Sequence, residues 1–196
     1  MSLDLIKEIR NETSLPINDI KKAIEAVGEN KDAIIKHLRE QGALKSSKRS
    51  DRITDNGSIF SYIHDGRIGV LLELQCETDF VARGDDFKSL GQNLCLQIAA
   101  SQPKFLNSNQ VDQSTIDAEM EIQRKLLESE NKPAEIIEKI LNGKKDKFFE
   151  EIVLLEQPYV KDPSLKVKDL VNVVSQKTGE KINVSRFTLY ILGKQD

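Results

Sequence analysis

Apolar residues recur at helical spacing in three short stretches at the start of the chain. Their apolar positions are Leu5, Ile6, Ile9, Ile20, Ala23, Ile24, Val27, Ile34 and Leu38. Pro16 suits the first turn of the second helix, and Gly28 suits its C-terminal cap. Gly42 is expected to end the third helix. The pattern therefore predicts that residues 1–42 form a three-helix head, a unit whose small size favours presenting a surface over carrying chemistry.

Residues 43–56 lose this periodicity and gain serine, aspartate and basic side chains. We expect a solvated linker between the head and the rest of the chain. The alternative is a basic contact strip for an acidic partner, formed by Lys45, Lys48, Arg49 and Arg52.

Strand-like alternation begins after the linker. The runs 58–64 and 68–76 flank Asp65-Gly66, a pair that favours a hairpin turn with positive φ at both positions. The run 182–192 alternates again, and a shift of its apolar phase predicts a bulge near Ser185-Arg186. Residues 57–196 are therefore predicted to be an α+β core with a three-stranded antiparallel sheet packed with helices.

Helical spacing also recurs within this core. Asp85 and Asp86 are expected to open a helix, because their charges complement a helix N-terminus. Further helices are predicted over 133–141 with Gly143 as the stop, over 148–155, and from Leu165 to Gly179. The acidic, weakly amphipathic residues 112–130 join 133–141 in a helical excursion around 112–142.

Composition and charge then exclude several classes of protein. Lys and Arg number 29 against 32 Asp and Glu, which gives a net charge of −3. Generic nucleic-acid binding and polybasic membrane binding both need a basic excess. The first residues do not follow the pattern of a signal peptide, and the sequence lacks an apolar run of about 18 residues. We therefore expect a soluble cytoplasmic protein that contacts neither membrane nor nucleic acid directly.

Residues that carry chemistry are sparse. Gly143-Lys144-Lys145 lacks the upstream glycine of a phosphate-binding loop, and His37 and His64 fall in different predicted domains. Two cysteines, Cys76 and Cys95, are too few for a disulfide framework or a metal site. We expect no enzyme activity, no catalytic residues, no cofactor, no metal and no nucleotide bound by the chain itself.

One segment, residues 77–84, combines apolar and charged side chains between a predicted strand and a predicted helix. Phe80 and Val81 stand beside Asp79 and Arg83, although a short connection is usually polar. Phe80 is either a core residue tucked under the sheet or a projecting aromatic anchor beside a charge. The second composition is typical of an interface hot spot.

The same segment carries a family resemblance. Residues 78–83, Thr-Asp-Phe-Val-Ala-Arg, resemble the Thr-Asp-Phe-Val loop of the elongation factor Ts family. Residues 9–13 through 19–24 resemble the N-terminal signature of that family, and 42–45 resemble its join between head and core. Residues 154–162, Leu-Leu-Glu-Gln-Pro-Tyr-Val-Lys-Asp, resemble a further family segment. The similarity covers nearly the whole chain in the correct order.

The resemblance implies a ubiquitin-associated-type head, an α+β core of the dimerisation type, and a partner. Members of this family are guanine-nucleotide exchange factors for the GTPase elongation factor Tu. In the family the head docks on the GTPase domain, and the core reaches that domain and a β-barrel domain. The loop, here Thr78, Asp79, Phe80 and Val81, enters near the switch region and displaces Mg²⁺. Supporting contacts are implied for Arg83, Pro16, Ile17 and Lys21.

Oligomeric state and function both have alternatives at this point. A three-stranded sheet leaves edge strands, and the short family form lacks the second core module of longer members, so we expect a homodimer. A ubiquitin-associated-type adaptor would leave the 78–83 residues unexplained. An RNA-binding protein would use the basic residues 45–52.

Overall fold

The structure, a computed structural model, describes residues 3–13, 15–47, 49–130 and 133–194, and for 43–47 it describes the backbone alone. These residues cluster into two compact units, one drawn from 1–95 and 168–196 and the other from 96–167. The first unit holds a helical head and an antiparallel sheet, and the second is mainly helical. The predicted α+β fold class is confirmed. Among the described residues, none of the helices is both long and apolar enough to cross a bilayer.

The head consists of α1 (Leu3–Thr13), α2 (Ile17–Val27) and α3 (Lys31–Ser47), which confirms the predicted bundle. Its buried residues are Ile6, Ile9, Leu15, Ile20, Ala23, Ile24, Ile34 and Leu38. Gly28 caps α2 with φ of +82°, and its N–H donates to the Ile24 carbonyl. The Asn30 side chain accepts the Ala33 N–H at 3.0 Å and so caps the start of α3.

The sheet has strand order β1 (Asn56–His64), β2 (Ile68–Cys76) and β5 (Ile182–Ile191), with both pairings antiparallel. The predicted hairpin is confirmed, since Asp65 and Gly66 have φ of +48° and +64°. The predicted bulge is also confirmed. Leu74 pairs with Val184 and Glu73 with Arg186, which leaves Ser185 as the extra residue.

One face of this sheet is buried and the other is exposed. The even-numbered residues of β2, such as Val70, Leu72 and Leu74, lie in the core. Phe60 of β1 packs with Phe87, whose ring centroid is 6.0 Å away. Phe87 belongs to α5 (Asp85–Ser101), which follows the short α4 (Asp79–Arg83), and α8 (Val167–Thr178) leads into β5. The opposite face, here called the outer sheet face, exposes the apolar side chains of Ile59, Ile63, Leu71 and Tyr190.

The second unit contains α6 (Gln113–Ser129), α7 (Ala134–Ile152) and a ribbon of β3 (Pro158–Tyr159) and β4 (Asp162–Lys166). The two helices pack through Leu127, Ile137 and Leu141, and Arg124 pairs with Glu138 at 2.7 Å. These helices lie where the helical excursion around 112–142 was predicted, and α7 continues beyond it to Ile152.

Three boundary predictions were wrong. Gly42 does not end α3, which continues to Ser47, and Gly143 lies inside α7. The helices predicted over 133–141 and 148–155 are therefore one helix, which ends at Ile152, and a separate 3-10 turn follows over Leu154–Glu156. Glycine costs only about 1 kcal/mol in a helix interior, so it does not by itself end a helix. A Cβ on the buried Gly42 would overlap the side-chain amide of Gln176 on α8, so this glycine permits a close approach. Leu165 lies in β4, and α8 begins two residues later.

Two helical glycines offer a matched test of packing. A Cβ at Gly91 on α5 would overlap the ring of Phe60, whereas among the described residues none comes within 4 Å of a Cβ at Gly143. We expect Gly91→Ala to lower the free energy of unfolding by about 1–3 kcal/mol, because the ring has to shift in a packed core. Gly143→Ala is expected to raise it by about 0.5–1 kcal/mol. Denaturant unfolding measures both, and a change of the same sign in the two variants would contradict this packing.

Candidate functional site

The 78–84 residues form a single helical turn at the end of the central strand. Thr78 is the N-cap of α4, and its Oγ1 accepts the Val81 N–H at 3.4 Å. The Ala82 N–H donates to the Thr78 carbonyl at 3.2 Å, and the Gly84 N–H to the Val81 carbonyl at 2.9 Å. Asp79 stands in the first turn, where the helix dipole favours negative charge. The predicted loop is therefore a short helix with a defined direction.

The three apolar side chains of α4 differ in their exposure. Val81 is 7% exposed and Ala82 is equally buried, whereas Phe80 is 83% exposed. The interpretation of Phe80 as a core residue is therefore wrong. Its ring projects into solvent from a turn that is held down by its neighbours, which is the geometry of an anchor. Val81 contributes by packing inside the chain.

Charged side chains flank the exposed ring. Arg83 Nη2 and Asp79 Oδ2 are 3.1 Å apart in an ion pair whose side chains are 80% and 68% exposed. An exposed pair of this kind contributes little to stability, so both groups remain available to a partner. A groove of about 610 Å³ opens beside the turn. Its far wall includes Lys177, which pairs with Asp86 at 2.6 Å.

A carboxylate from the turn between α8 and β5 supports α4 from below. Glu180 accepts hydrogen bonds from the Glu77 N–H at 3.1 Å, the Thr78 N–H at 3.0 Å and the Thr78 hydroxyl at 2.6 Å. Its own backbone is fixed because the Ser175 hydroxyl donates to its carbonyl, after Gly179 ends α8 with φ of +79°. The sequence offered no local signal for this contact, because Glu180 lies 102 residues after Thr78.

Glu77 makes the reciprocal contact. Its carboxylate accepts the Lys181 N–H and pairs with Arg52 at 3.0 Å. Burial opposes ionisation of Glu77, but the Lys181 N–H and the Arg52 guanidinium outweigh that effect and hold the pKa of Glu77 below its ordinary value. The 76–78 and 179–181 connections are thus tied together by two crossing carboxylates.

The basic residues of the predicted linker that the structure describes make contacts within the chain. Arg49 donates to the Ser175 carbonyl at 3.0 Å, and Arg52 pairs with Glu77. The Lys45 side chain and Lys48 lie outside the described residues. Arg49 and Arg52 of the predicted basic strip therefore hold Ser175 and Glu77 in place, and these two residues belong to the structure that supports α4.

The remaining predicted site residues lie on the head. Pro16 immediately precedes α2, and Ile17 and Lys21 are on the first turns of that helix with exposed side chains. They are accessible to a partner, and they form a surface on a different element from α4. Only the Thr78-to-Arg83 residues are brought together in one turn.

Comparison with known proteins decides the family. Residues 4–194 match the family model described as elongation factor TS. The chain is 47% identical to the elongation factor Ts of Thermotoga petrophila over 195 residues, which covers 99% of this chain and 97% of that protein. It is 44% identical to the protein of Herpetosiphon aurantiacus over 194 residues, 98% of each, and 42% identical to that of Desulforamulus reducens over 195 residues, 99% and 90%.

The chain belongs to the elongation factor Ts family. This family acts as the nucleotide exchange factor of elongation factor Tu, so the resemblance in the sequence is confirmed and the chain is a translation elongation factor. The family assignment places α4, with its exposed Phe80, in a protein that works on a GTPase.

Both cysteines of this elongation factor Ts chain are free thiols and both are buried. Burial, with a smaller effect of the Glu180 charge, raises the pKa of Cys76 to about 11, and burial raises the pKa of Cys95 to about 11. Thiolate is the reactive form, so neither side chain is a nucleophile at neutral pH.

We expect the native protein to resist an aromatic disulfide reagent at pH 7.5 and to react fully when it is unfolded in urea. Because the folded thiols have the higher pKa, their contribution to the free energy of unfolding is complete below about pH 8.5 and declines as pH rises towards 11. Denaturant unfolding at pH 8 and pH 10 measures this decline, which should be smaller in a Cys76→Ala, Cys95→Ala double variant. Fast labelling of the native protein would contradict the assignment.

Proposed function

We propose that the chain promotes GDP release from elongation factor Tu by inserting Phe80 near the nucleotide site and displacing the bound Mg²⁺. The observation that carries this proposal is the 83% exposure of Phe80 on a turn whose other apolar residues are buried. Thr78 and Val81 fix the turn, Asp79 and Arg83 flank the ring, and Pro16, Ile17 and Lys21 supply a second contact from the head.

Physical chemistry makes the step feasible. Burying an exposed Phe side chain in a partner is worth about 1.5–3 kcal/mol. Mg²⁺ requires near-octahedral ligands, so small shifts of its protein ligands weaken its binding. Loss of the cation removes the main neutralisation of the diphosphate charge, and GDP then dissociates more readily.

The mechanism uses binding energy alone. It needs no covalent step, no cofactor and no catalytic residue of this chain. Because coupling between two ligands is reciprocal, nucleotide must weaken factor binding by the same ratio as the factor weakens nucleotide binding. GDP or GTP can therefore release the factor, and nucleotide concentrations set the direction.

Truncation of the anchor is the direct test. We expect Phe80→Ala to keep the melting temperature within a few degrees, because the ring is exposed, and to lose about 2–4 kcal/mol of partner interaction. The measurement is release of fluorescent GDP from elongation factor Tu in millimolar Mg²⁺. Ile53→Ala removes an apolar side chain of similar exposure, 73%, and should behave as the unaltered chain. An unchanged release rate in folded Phe80→Ala would reject the insertion mechanism.

The Mg²⁺ dependence tests the second half of the proposal. Asp79→Ala is expected to slow GDP release while weakening complex formation less than Phe80→Ala, because its charge acts near the cation more than through buried area. When Mg²⁺ is chelated, the deficits of both variants should shrink, since the step they promote is already complete. Equal losses of GDP release rate with and without Mg²⁺ would contradict a role of this site in displacing the cation.

We also propose that the chain forms a homodimer through the outer sheet face. Ile63 of β1 and Tyr190 of β5 both pair with Gly69 of β2, so their side chains flank the bare glycine. Leu71 adds a further exposed apolar group, and the Glu73–Arg186 pair, 2.7 Å apart, borders the patch. Contiguous apolar surface of this kind marks an interface, and a two-fold axis brings the same patch from both copies together.

Placing a charged side chain on the outer sheet face tests the dimer. We expect a light-scattering mass of about 44 kDa, twice the 22.1 kDa chain, falling to the single-chain mass in Ile63→Lys. Ile53→Lys, at an isoleucine of nearly the same exposure, is the control and should remain dimeric. A single-chain mass for the unaltered protein at high concentration would contradict the dimer.

A further inference from the structure

We propose that Glu180 is a positioning residue for nucleotide exchange, because its carboxylate sets the direction in which α4 presents Phe80. The inference rests on the proposed function of Phe80. Glu180 itself does not have to touch the partner.

The contact runs through a defined chain of atoms. The Thr78 hydroxyl donates its hydrogen to Glu180 Oε1, which leaves the lone pairs of Thr78 Oγ1 to accept the Val81 N–H. Glu180 Oε2 accepts the N–H groups of Glu77 and Thr78. The carboxylate therefore fixes both the backbone that enters α4 and the hydroxyl that caps it.

A turn of five residues needs such support. A helix this short is not stable by itself, because helix nucleation is unfavourable. Burial of Val81 and Ala82 holds one side of α4, and Thr78 holds its start. Without Glu180 the start is free to shift while the buried side stays in place, so the turn can tilt and Phe80 changes direction.

Tilting has a specific kinetic consequence. A ring that projects in several directions still finds apolar contacts on the partner, so affinity is largely retained. Displacing the ligands of a cation requires one direction, and small misplacements in such steps cost large factors in rate. The expected signature is a lower maximal rate with a nearly unchanged half-saturating concentration.

The experiment measures GDP release from elongation factor Tu as a function of factor concentration. We expect Glu180→Ala to lower the release rate at saturation by at least about tenfold, with the half-saturating concentration changed by less than about threefold. Glu180→Gln should restore most of the rate, because its carbonyl oxygen accepts the two N–H groups and its amide donates to the Thr78 hydroxyl. Glu121→Ala removes an exposed carboxylate that pairs with Lys125 on α6, and it controls for net charge.

Amide hydrogen exchange supplies a readout that does not depend on the partner. Exchange at Thr78 and Val81 should accelerate in Glu180→Ala and return towards the unaltered rate in Glu180→Gln. If Glu180→Ala does not fold, the same exchange and release rates are compared in two variants of Thr78. Thr78→Val lacks the hydroxyl that donates to Glu180, and Thr78→Ser keeps it.

The outcomes are distinguishable. If the unaltered chain does not accelerate GDP release, the proposed function fails. If it does, and Glu180→Ala matches it at saturation, the positioning role is overturned. A third outcome is that Glu180→Ala and Glu180→Gln lose the same release rate, in proportion to their melting temperatures. That result would make Glu180 a stability residue and would also overturn the inference.

Discussion

The alternation of side chains along β2 is the constraint on which the rest of this unit depends. The strand is paired on both sides, so Val70, Leu72 and Leu74 must face the core while Leu71 faces outwards. A shift of one residue in either pairing would exchange the two faces. The register therefore decides the packing under α5, the composition of the outer sheet face, and the point at which the chain leaves the sheet to form α4.

The functional turn depends on residues that do not contact a partner in the proposed mechanism. Val81 is buried, Thr78 is engaged with Glu180, and Glu77 is engaged with Lys181 and Arg52. An exposed aromatic side chain on a mobile segment would lose conformational entropy on binding, whereas one on a fixed turn has lost it during folding. In the proposed mechanism this support raises the share of the Phe80 burial energy that is available for changing the GTPase.

Features with a local cause could be predicted from the sequence, and features with a distant cause could not. Asp65-Gly66 dictated the hairpin through its positive φ values, and the apolar phase of the last strand located the bulge at Ser185. The helix ends predicted at Gly42 and Gly143 were wrong, because a glycine in a helix interior costs only about 1 kcal/mol and does not by itself end a helix. Glu180 has no local signature, since its role comes from a fold that brings it to Thr78. For Phe80 the sequence left two interpretations, and its exposure rules out the one in which it is a core residue.

The segments that carry the family resemblance differ in how exposed their side chains are. Gln157, in the Leu-Leu-Glu-Gln-Pro-Tyr-Val-Lys-Asp segment, is 2% exposed. Its side chain donates to the Glu151 carbonyl at 3.1 Å and accepts from Gln97 at 3.2 Å, while the Val160 N–H donates to Gln97 at 2.8 Å. A buried amide must have its hydrogen bonds satisfied, so replacing Gln157 would leave partners unpaired inside the unit. The Gln157 part of the resemblance therefore reflects internal packing, whereas at Phe80 the side chain is free to act on another molecule. A sequence match reports both in the same way, and only the surroundings of each side chain distinguish a buried packing residue from one that is exposed to another molecule.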